Sequence, residues 1–221
     1  MTLQLDRLTV SYRRRAIFDR LSHTFERGCH LILGANGAGK STLLGAVAGN
    51  VAYRGNILVN GYELTRNSVE ARRALAYVPD STTFYPFMTG AQFTDFVLHT
   101  HGLGPISAEP RYAQIVDRLN VREHLSTRFG EASLGTRKKF FLLAALLLET
   151  EVLIMDEPFN GIDHATTLAL IELLNQIAPN NTILLTCHLP QIIEAIHGVR
   201  WHLGRSPHTR ITRDVSGHAF A

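Results

Sequence analysis

Two stretches of this chain hold residue types, at telling spacings, that act on phosphates. Gly34-Ala35-Asn36-Gly37-Ala38-Gly39-Lys40-Ser41 is a glycine, four residues, then Gly-Lys-Ser, the pattern of a phosphate-binding loop. Its glycines let successive amides curl around an anion, and a following helix adds its N-terminal dipole. Lys40 is a mobile point charge for β- and γ-phosphates, and the Ser41 hydroxyl is a Mg2+ ligand. Asn36, Gly37, Gly39, Lys40, Ser41 and Thr42 are thus the expected nucleotide contacts. Downstream, Val152-Leu153-Ile154-Met155 runs into Asp156-Glu157. A carboxylate at the end of a buried strand suits a metal ligand, here Asp156, and the next one, Glu157, can orient and polarise an attacking water. The loop specifies a nucleoside triphosphate site without separating a kinase, a GTPase or a transport ATPase, and Asp-Glu after a strand is common on its own.

The elements that must hold these residues are also readable. Leu31-Ile32-Leu33 predicts a strand before the loop, and Leu43, Leu44, Val47 and Ala48 a helix after it, stopped at Gly49 or Asn50. Upstream, Leu3, Leu5, Leu8, Val10 and Tyr12 alternate as strands with a break at Asp6-Arg7, and Ile57 and Val59 lead into an Asn60-Gly61 turn. Ala76-Tyr77-Val78 is a short buried strand ended by Pro79. Thr89 is a candidate cap for a helix carrying Phe93, Phe96 and Val97. Tyr112, Ile115, Val116 and Leu119 repeat at helical spacing. Leu170, Leu173, Leu174 and Ile177 mark a further helix, Ile183-Leu184-Leu185 a strand, Pro190 to Ile196 another helix, and Val199 to Leu203 a last strand. The expected architecture is α/β: a P-loop NTPase core over about 1–85 and 150–204, an inserted helical subdomain over about 86–149, and a polar C-terminal tail, 205–221, without firm structure.

Bulk composition narrows the class. The 221 residues suit one domain, and 45% hydrophobic with 19% charged residues is ordinary globular content. A formal charge of +3 is weak support for nucleic-acid binding, and Arg13-Arg14-Arg15 is a short run that reads as a solvated turn. Cys29 and Cys187 have neither metal nor redox spacing, which points to a reducing compartment. The longest apolar run, Phe140 to Leu148, falls short of the ~20 residues a membrane helix needs.

Five motifs in one order resemble the ATP-binding cassette (ABC) family, specifically the nucleotide-binding subunit of a transporter. They are the phosphate loop, Ser133-Leu134-Gly135-Thr136 before an apolar helix, Asp156-Glu157, Asn160-Gly161-Ile162-Asp163, and Thr186-Cys187-His188, and the resemblance runs from about Leu3 to Leu203. It implies the family's fold, with an N-terminal antiparallel β subdomain, and ATP with Mg2+ as cofactors. It implies adenine stacking on Tyr12, γ-phosphate donation by the neutral imidazole of His188, and a link between paired sites at Asp163. Ser133 and Gly135 would supply a hydroxyl and an unobstructed backbone N–H to the γ-phosphate of a second subunit's ATP. Two departures stand out. Leu134 and Thr136 replace a glycine and a glutamine of the signature. Asp80 stands where the family places a glutamine that touches Mg2+; it can reach the metal through water, at the cost of negative charge beside the γ-phosphate.

The expected activity is ATP hydrolysis driving a separate transmembrane permease subunit by head-to-tail dimer closure, as a homodimer or with a second ABC subunit. An exporter, peripheral on the cytoplasmic face of the membrane, is the favoured setting, with no nucleic acid as partner. Some of Phe84, Tyr85, Pro86, Phe87 and Met88 are expected to line the permease contact. The alternatives are a soluble ABC ATPase acting on ribosomes or DNA, against which stands the lack of a second cassette or heptad run, and a degenerate ATP-binding regulatory subunit.

Overall fold

The computed structural model describes residues 2–12, 15–81, 85–104, 109–204 and 210–214. The chain runs β1 Leu3–Tyr12, β2 Arg15–Phe25, β3 Gly28–Leu33, α1 Lys40–Val47, β4 Arg54–Val59, β5 Tyr62–Glu63, α2 Ser68–Arg73 and β6 Leu75–Val78. Helices α3 Gly90–Thr100, α4 Pro110–Arg118 and α5 Leu134–Leu147 follow, then β7 Val152–Met155, α6 His164–Ile177, β8 Thr182–Thr186, α7 Pro190–Ala195, β9 Gly198–Gly204 and β10 Arg210–Arg213. One sheet has the antiparallel order β2-β1-β4-β5; the other has the order β10-β9-β3-β8-β7-β6 and is parallel except for β10. An antiparallel sheet lies beside a parallel P-loop sheet, with helices inserted between β6 and β7.

Strand alternation explains how one parallel sheet serves two cores. Leu31, Leu153, Met155, Ile183 and Leu185 point into a cluster shared with α3, α4, α5 and α6. Their neighbours Ile32, Val152, Ile154 and Leu184 point the other way, onto α1 and the antiparallel sheet. That is why Val152–Met155 and Ile183–Leu185 read as unbroken apolar runs: both faces of these central strands are covered. Thr89 caps α3 with a capping box, its hydroxyl accepting from the Gln92 N–H while the Gln92 side chain accepts from the Thr89 N–H.

Three local expectations change. The break at Asp6-Arg7 is a bulge inside one continuous strand; Arg7 takes φ 48° and its N–H donates to Ser22 Oγ at 2.9 Å. Helix α5 begins at Leu134, six residues before its apolar run at Phe140, because the Ser133 side chain caps it. Val199–Leu203 does not end the sheet: β10 pairs with β9 from Arg210↔Gly204 to Arg213↔Trp201, so the polar tail contains an edge strand. Its alternation is too short and too charged to stand out as a strand. Arg13, Arg14 and Phe84 lie outside the described residues.

Where the two sheets meet, Trp201 Nε1 donates to His30 Nδ1 at 3.0 Å, and His30 Nε2 lies 2.9 Å from the Glu26 carbonyl. The indole donor requires a lone pair on Nδ1, so His30 is neutral with its proton on Nε2. Burial lowers its pKa, against smaller opposing effects of the Glu26 carbonyl and carboxylate. His23, edge-on to Trp201 at 4.5 Å, is lowered by burial and then by His30.

Candidate nucleotide site

The carboxyl ends of β3, β6, β7 and β8 lie side by side, with Val78 opposite Met155, Met155 opposite Leu185 and Ile32 opposite Thr186. In an open parallel sheet this is the edge where ligands bind. The segments leaving these ends are the phosphate loop, Asp80, Asp156-Glu157 and His188, so adjacency in the sheet gathers motifs far apart in sequence. Tyr12, Ile17, Asn36, Gly37, Gly39, Lys40, Ser41, Thr42, Asp80, Glu157, Asn160 and His188 surround a cleft of about 470 Å³. Ile17 was not singled out by the sequence, since nothing local distinguishes it from other strand residues, and Asn160 was read only as part of its motif, not as a wall of the cleft.

The loop has the shape of an anion cradle. Gly34, Gly37 and Gly39 take φ of 145°, 72° and 102°, and a Cβ on Gly39 would lie 2.8 Å from Ile17 Cγ2. Side chains at Gly34 and Gly39 would collide with Leu203 and Ile17, so only glycine lets the loop curl in this way. Helix α1 starts at Lys40 itself, bringing its first N–H groups to the loop. Lys40 is 7% exposed, and its Nζ donates to the Gly34 carbonyl at 2.8 Å and the Ala35 carbonyl at 3.4 Å. Its ammonium is held at the loop by weak acceptors that phosphate oxygens can replace.

The acidic pair is divided in role by burial. Asp156, 4% exposed, is not among the residues facing the cleft; its Oδ1 accepts from the Thr186 hydroxyl at 2.8 Å. The same Thr186 oxygen accepts from the Glu157 N–H at 2.8 Å, locking the end of β7 to the end of β8. Glu157 sits at φ 47°, a left-handed conformation that costs a non-glycine residue about 1 kcal/mol and recurs at functional sites. Its Oε1 is 2.8 Å from His188 Nε2. Burial raises the Glu157 pKa; His188 pulls it down, Asp156 pushes it up, Lys40 lowers it and Asp80 raises it. The direction brings a carboxylate toward the range useful to a general base. Burial, then Asp156 and Asp80, push the Tyr77 phenol up to about 12, another mark of concentrated negative charge.

Three expected contacts lie elsewhere. Ser133 caps α5, its Oγ accepting from the Thr136 N–H at 3.1 Å, and Gly135 follows in the first turn. A Cβ on Gly135 would come within 2.1 Å of the Gly161 carbonyl, so glycine is needed there for packing inside the chain. Leu134 is 57% exposed and covers Gly161. Asp163 caps α6 through the Thr166 N–H at 2.9 Å and pairs with Lys139 Nζ at 2.6 Å. Partial burial opposes its charge, but Lys139 and Thr166 outweigh that and hold the carboxyl well below the usual range. Ser133, Gly135 and Asp163 are absent from the cleft walls; Ser133 and Asp163 are exposed at a second corner, with Gly135 buried in the first turn of α5.

Mg2+ fits the donor set. It prefers hard oxygens, binds one or two carboxylates plus phosphates and keeps several waters; Ser41 and Asp80 line the cleft and Asp156 lies at its adjoining strand end. Among the described residues no group of three or more His, Cys, Asp or Glu forms a metal cage. Away from the cleft, Tyr85, Phe87 and Phe96 form an exposed aromatic patch, 43%, 68% and 47% accessible, with Tyr85 centroids 5.9 Å from Phe87 and 6.4 Å from Phe96. Met88 turns partly into the core. Among the described residues no helix is long and apolar enough to cross a membrane.

A family model described as ABC transporter matches residues 18–160. The chain is 29% identical over 195 residues to the linearmycin resistance ATP-binding protein LnrL of Bacillus subtilis strain 168, covering 87% of this chain and 63% of that protein. It is 31% identical over 195 residues to the zinc transport system ATP-binding protein TroB of Treponema pallidum strain Nichols, with 84% and 71% covered. It is 29% identical over 176 residues to the human phospholipid-transporting ATPase ABCA3, covering 79% of this chain and 10% of that one. A solved structure described as the ATP binding subunit of an ABC transporter superposes with a TM-score of 0.87 at 27% identity, covering 97% of this chain and 90% of that one.

Proposed function

The chain belongs to the ABC transporter family, and on that premise we propose that it binds and hydrolyses ATP with Mg2+ to drive a separate membrane subunit. The observation that carries this reading is the division of the donors. Lys40, Ser41, Glu157 and His188 share one cleft, whereas Ser133 stands exposed away from it, with Gly135 in the turn behind. A γ-phosphate held only by the first set lacks donors on its far side, and a second copy arranged head to tail supplies them.

In this mechanism Lys40 exchanges the Gly34 and Ala35 carbonyls for β- and γ-phosphate oxygens. Tyr12 offers its ring face to adenine, with Asn36, Gly37, Gly39 and Thr42 lining the phosphate path. Ser41 and Asp156, with Asp80 through water, would hold the Mg2+, which would neutralise charge on the phosphates. Glu157 orients the attacking water and accepts its proton, and His188 leaves Glu157 to donate to the γ-phosphate. Asp163, fixed by Lys139 at the signature corner, links one site to the other across the dimer. The helical segment over about 86–149 acts as a subdomain, and its Tyr85, Phe87 and Phe96 patch receives an apolar segment of the membrane subunit at the cytoplasmic face. Export is the direction favoured, consistent with the resistance function named for the Bacillus relative.

The test is analytical ultracentrifugation of Glu157→Gln with and without Mg-ATP, beside ATPase assays of both proteins. The expected result is a monomer that dimerises on nucleotide, with turnover lost in the variant. A variant that stays monomeric at saturating Mg-ATP, alone and with its membrane subunit, overturns the dimer reading. Equal, negligible turnover in both proteins favours the degenerate regulatory subunit.

A further inference from the structure

Asp80 brings a carboxylate to a wall that already holds Glu157, with Asp156 behind it. Before any metal arrives, such a wall repels a triphosphate. The chain places a cation directly behind Asp80. Lys138, one turn into α5, has a side chain only 1% exposed; its Nζ donates to the Pro79 carbonyl at 3.0 Å and the Asp80 carbonyl at 2.9 Å, and lies 3.6 Å from Asp80 Oδ1. An ammonium buried to this degree is costly unless matched by charge and hydrogen bonds. Burial pulls its pKa down, while Asp80 and then Asp156 and Glu157 pull it back up, so all three carboxylates act on this one cation. Nothing in an apolar helix core calls for a lysine here: the neighbours Phe140, Phe141, Leu142 and Leu143 fill the same helix with hydrocarbon.

We propose that Lys138 is a positioning residue that supplies the counter-charge for Asp80, so that Asp80 and Lys138 together present the nearly neutral wall that one uncharged side chain would present alone. The two carbonyl bonds fix the loop after β6, and the ammonium offsets the carboxylate that faces the phosphates. Because Ser133 caps the same helix, the contact also ties the Asp80 loop to the element carrying the signature corner. This inference rests on the nucleotide reading of the cleft.

The test is a double-mutant cycle with Lys138→Gln, Asp80→Gln and the double variant, plus Lys138→Arg. ATP affinity is measured by calorimetry in EDTA and in Mg2+, with thermal unfolding of the nucleotide-free proteins recorded alongside. Lys138→Gln is expected to weaken ATP binding in EDTA by about tenfold, and less in Mg2+, with the double variant back near the wild type because the carboxylate that Lys138 offsets is gone. Lys138→Arg should bind close to the wild type. Asp80→Gln, whose side chain is 55% exposed and which should fold whatever happens to the Lys138 variants, leaves the cation unmatched and should tighten ATP binding in EDTA several-fold. A double variant as weak as Lys138→Gln alone in EDTA, or unchanged affinity for Asp80→Gln, overturns the inference while wild-type ATP binding leaves the nucleotide reading intact. A wild type that binds no ATP under either condition overturns both.

Discussion

At the phosphate-loop corner, Lys40 and Glu157 are almost buried and surround a cleft of about 470 Å³ with Ser41 and His188. At the signature corner, Ser133 and Leu134 are exposed, Gly135 packs against the exposed Gly161, and Lys139 is buried against Asp163. The first is a concave site with charge already gathered; the second is a rigid outer surface with donors. The difference teaches that one copy of this chain provides a complete place to hold a nucleotide and only half a place to cleave it, under the dimer reading. Experiments that separate binding from turnover therefore break or sharpen the contrast.

The largest effect is expected at Glu157, the carboxylate proposed to activate water. Glu157→Gln should lower ATP turnover by about a hundredfold or more while ATP still binds, measured by phosphate release and calorimetry. Retained turnover would remove Glu157 from the chemistry. Next comes the signature corner. Gly135→Ala forces a methyl group into the Gly161 carbonyl, and should cut turnover at least about tenfold and lower the unfolding temperature by about 2–8 °C. Its affinity for ATP as a monomer should not change; a parallel loss of affinity would mean that the two corners are not independent.

A region remote from both corners serves as the control. His30 is neutral in the fold, and its lowered pKa means that the unfolded chain takes up a proton first as pH falls. Its contribution to stability is therefore complete above the ordinary value of 6.5 and declines below it, until the folded-state His30 itself protonates and releases Trp201. Urea unfolding followed by the fluorescence of Trp201, the one tryptophan in the sequence, should show a midpoint that is flat above that pH and falls below it. His30→Gln should flatten the slope; an unaltered slope would assign it to other groups. The smallest effect is expected from Tyr12→Ala. The ring is 51% exposed, so its loss should weaken ATP binding only about two- to tenfold.

Much of the phosphate-loop corner was readable because its logic is local. A glycine pattern, the adjoining strand and the helix after it are contiguous in the chain. The Thr89 cap and the buried strands Val152–Met155 and Ile183–Leu185 were legible for the same reason. The start of α5 was missed because its cap, Ser133, opens a stretch of polar residues that hides the helix from a search for apolar periodicity. Lys138 was missed because a lysine in a basic run looks solvated until its neighbours are known, and the carbonyls it holds lie 58 and 59 residues away.

The amino-acid order by itself determined the strand, loop and helix that make the phosphate cradle, since these depend on backbone freedom and hydrogen bonds between near neighbours. Only the tertiary structure decided that Thr186 joins Asp156 to Glu157, that Gly135 has no room for a methyl group against Gly161, and that Asp80 has a buried cation behind it. Those outcomes depend on which distant segments the sheet and helices bring within a few ångströms, and whether a charge is matched or a Cβ has space exists only once that packing is formed.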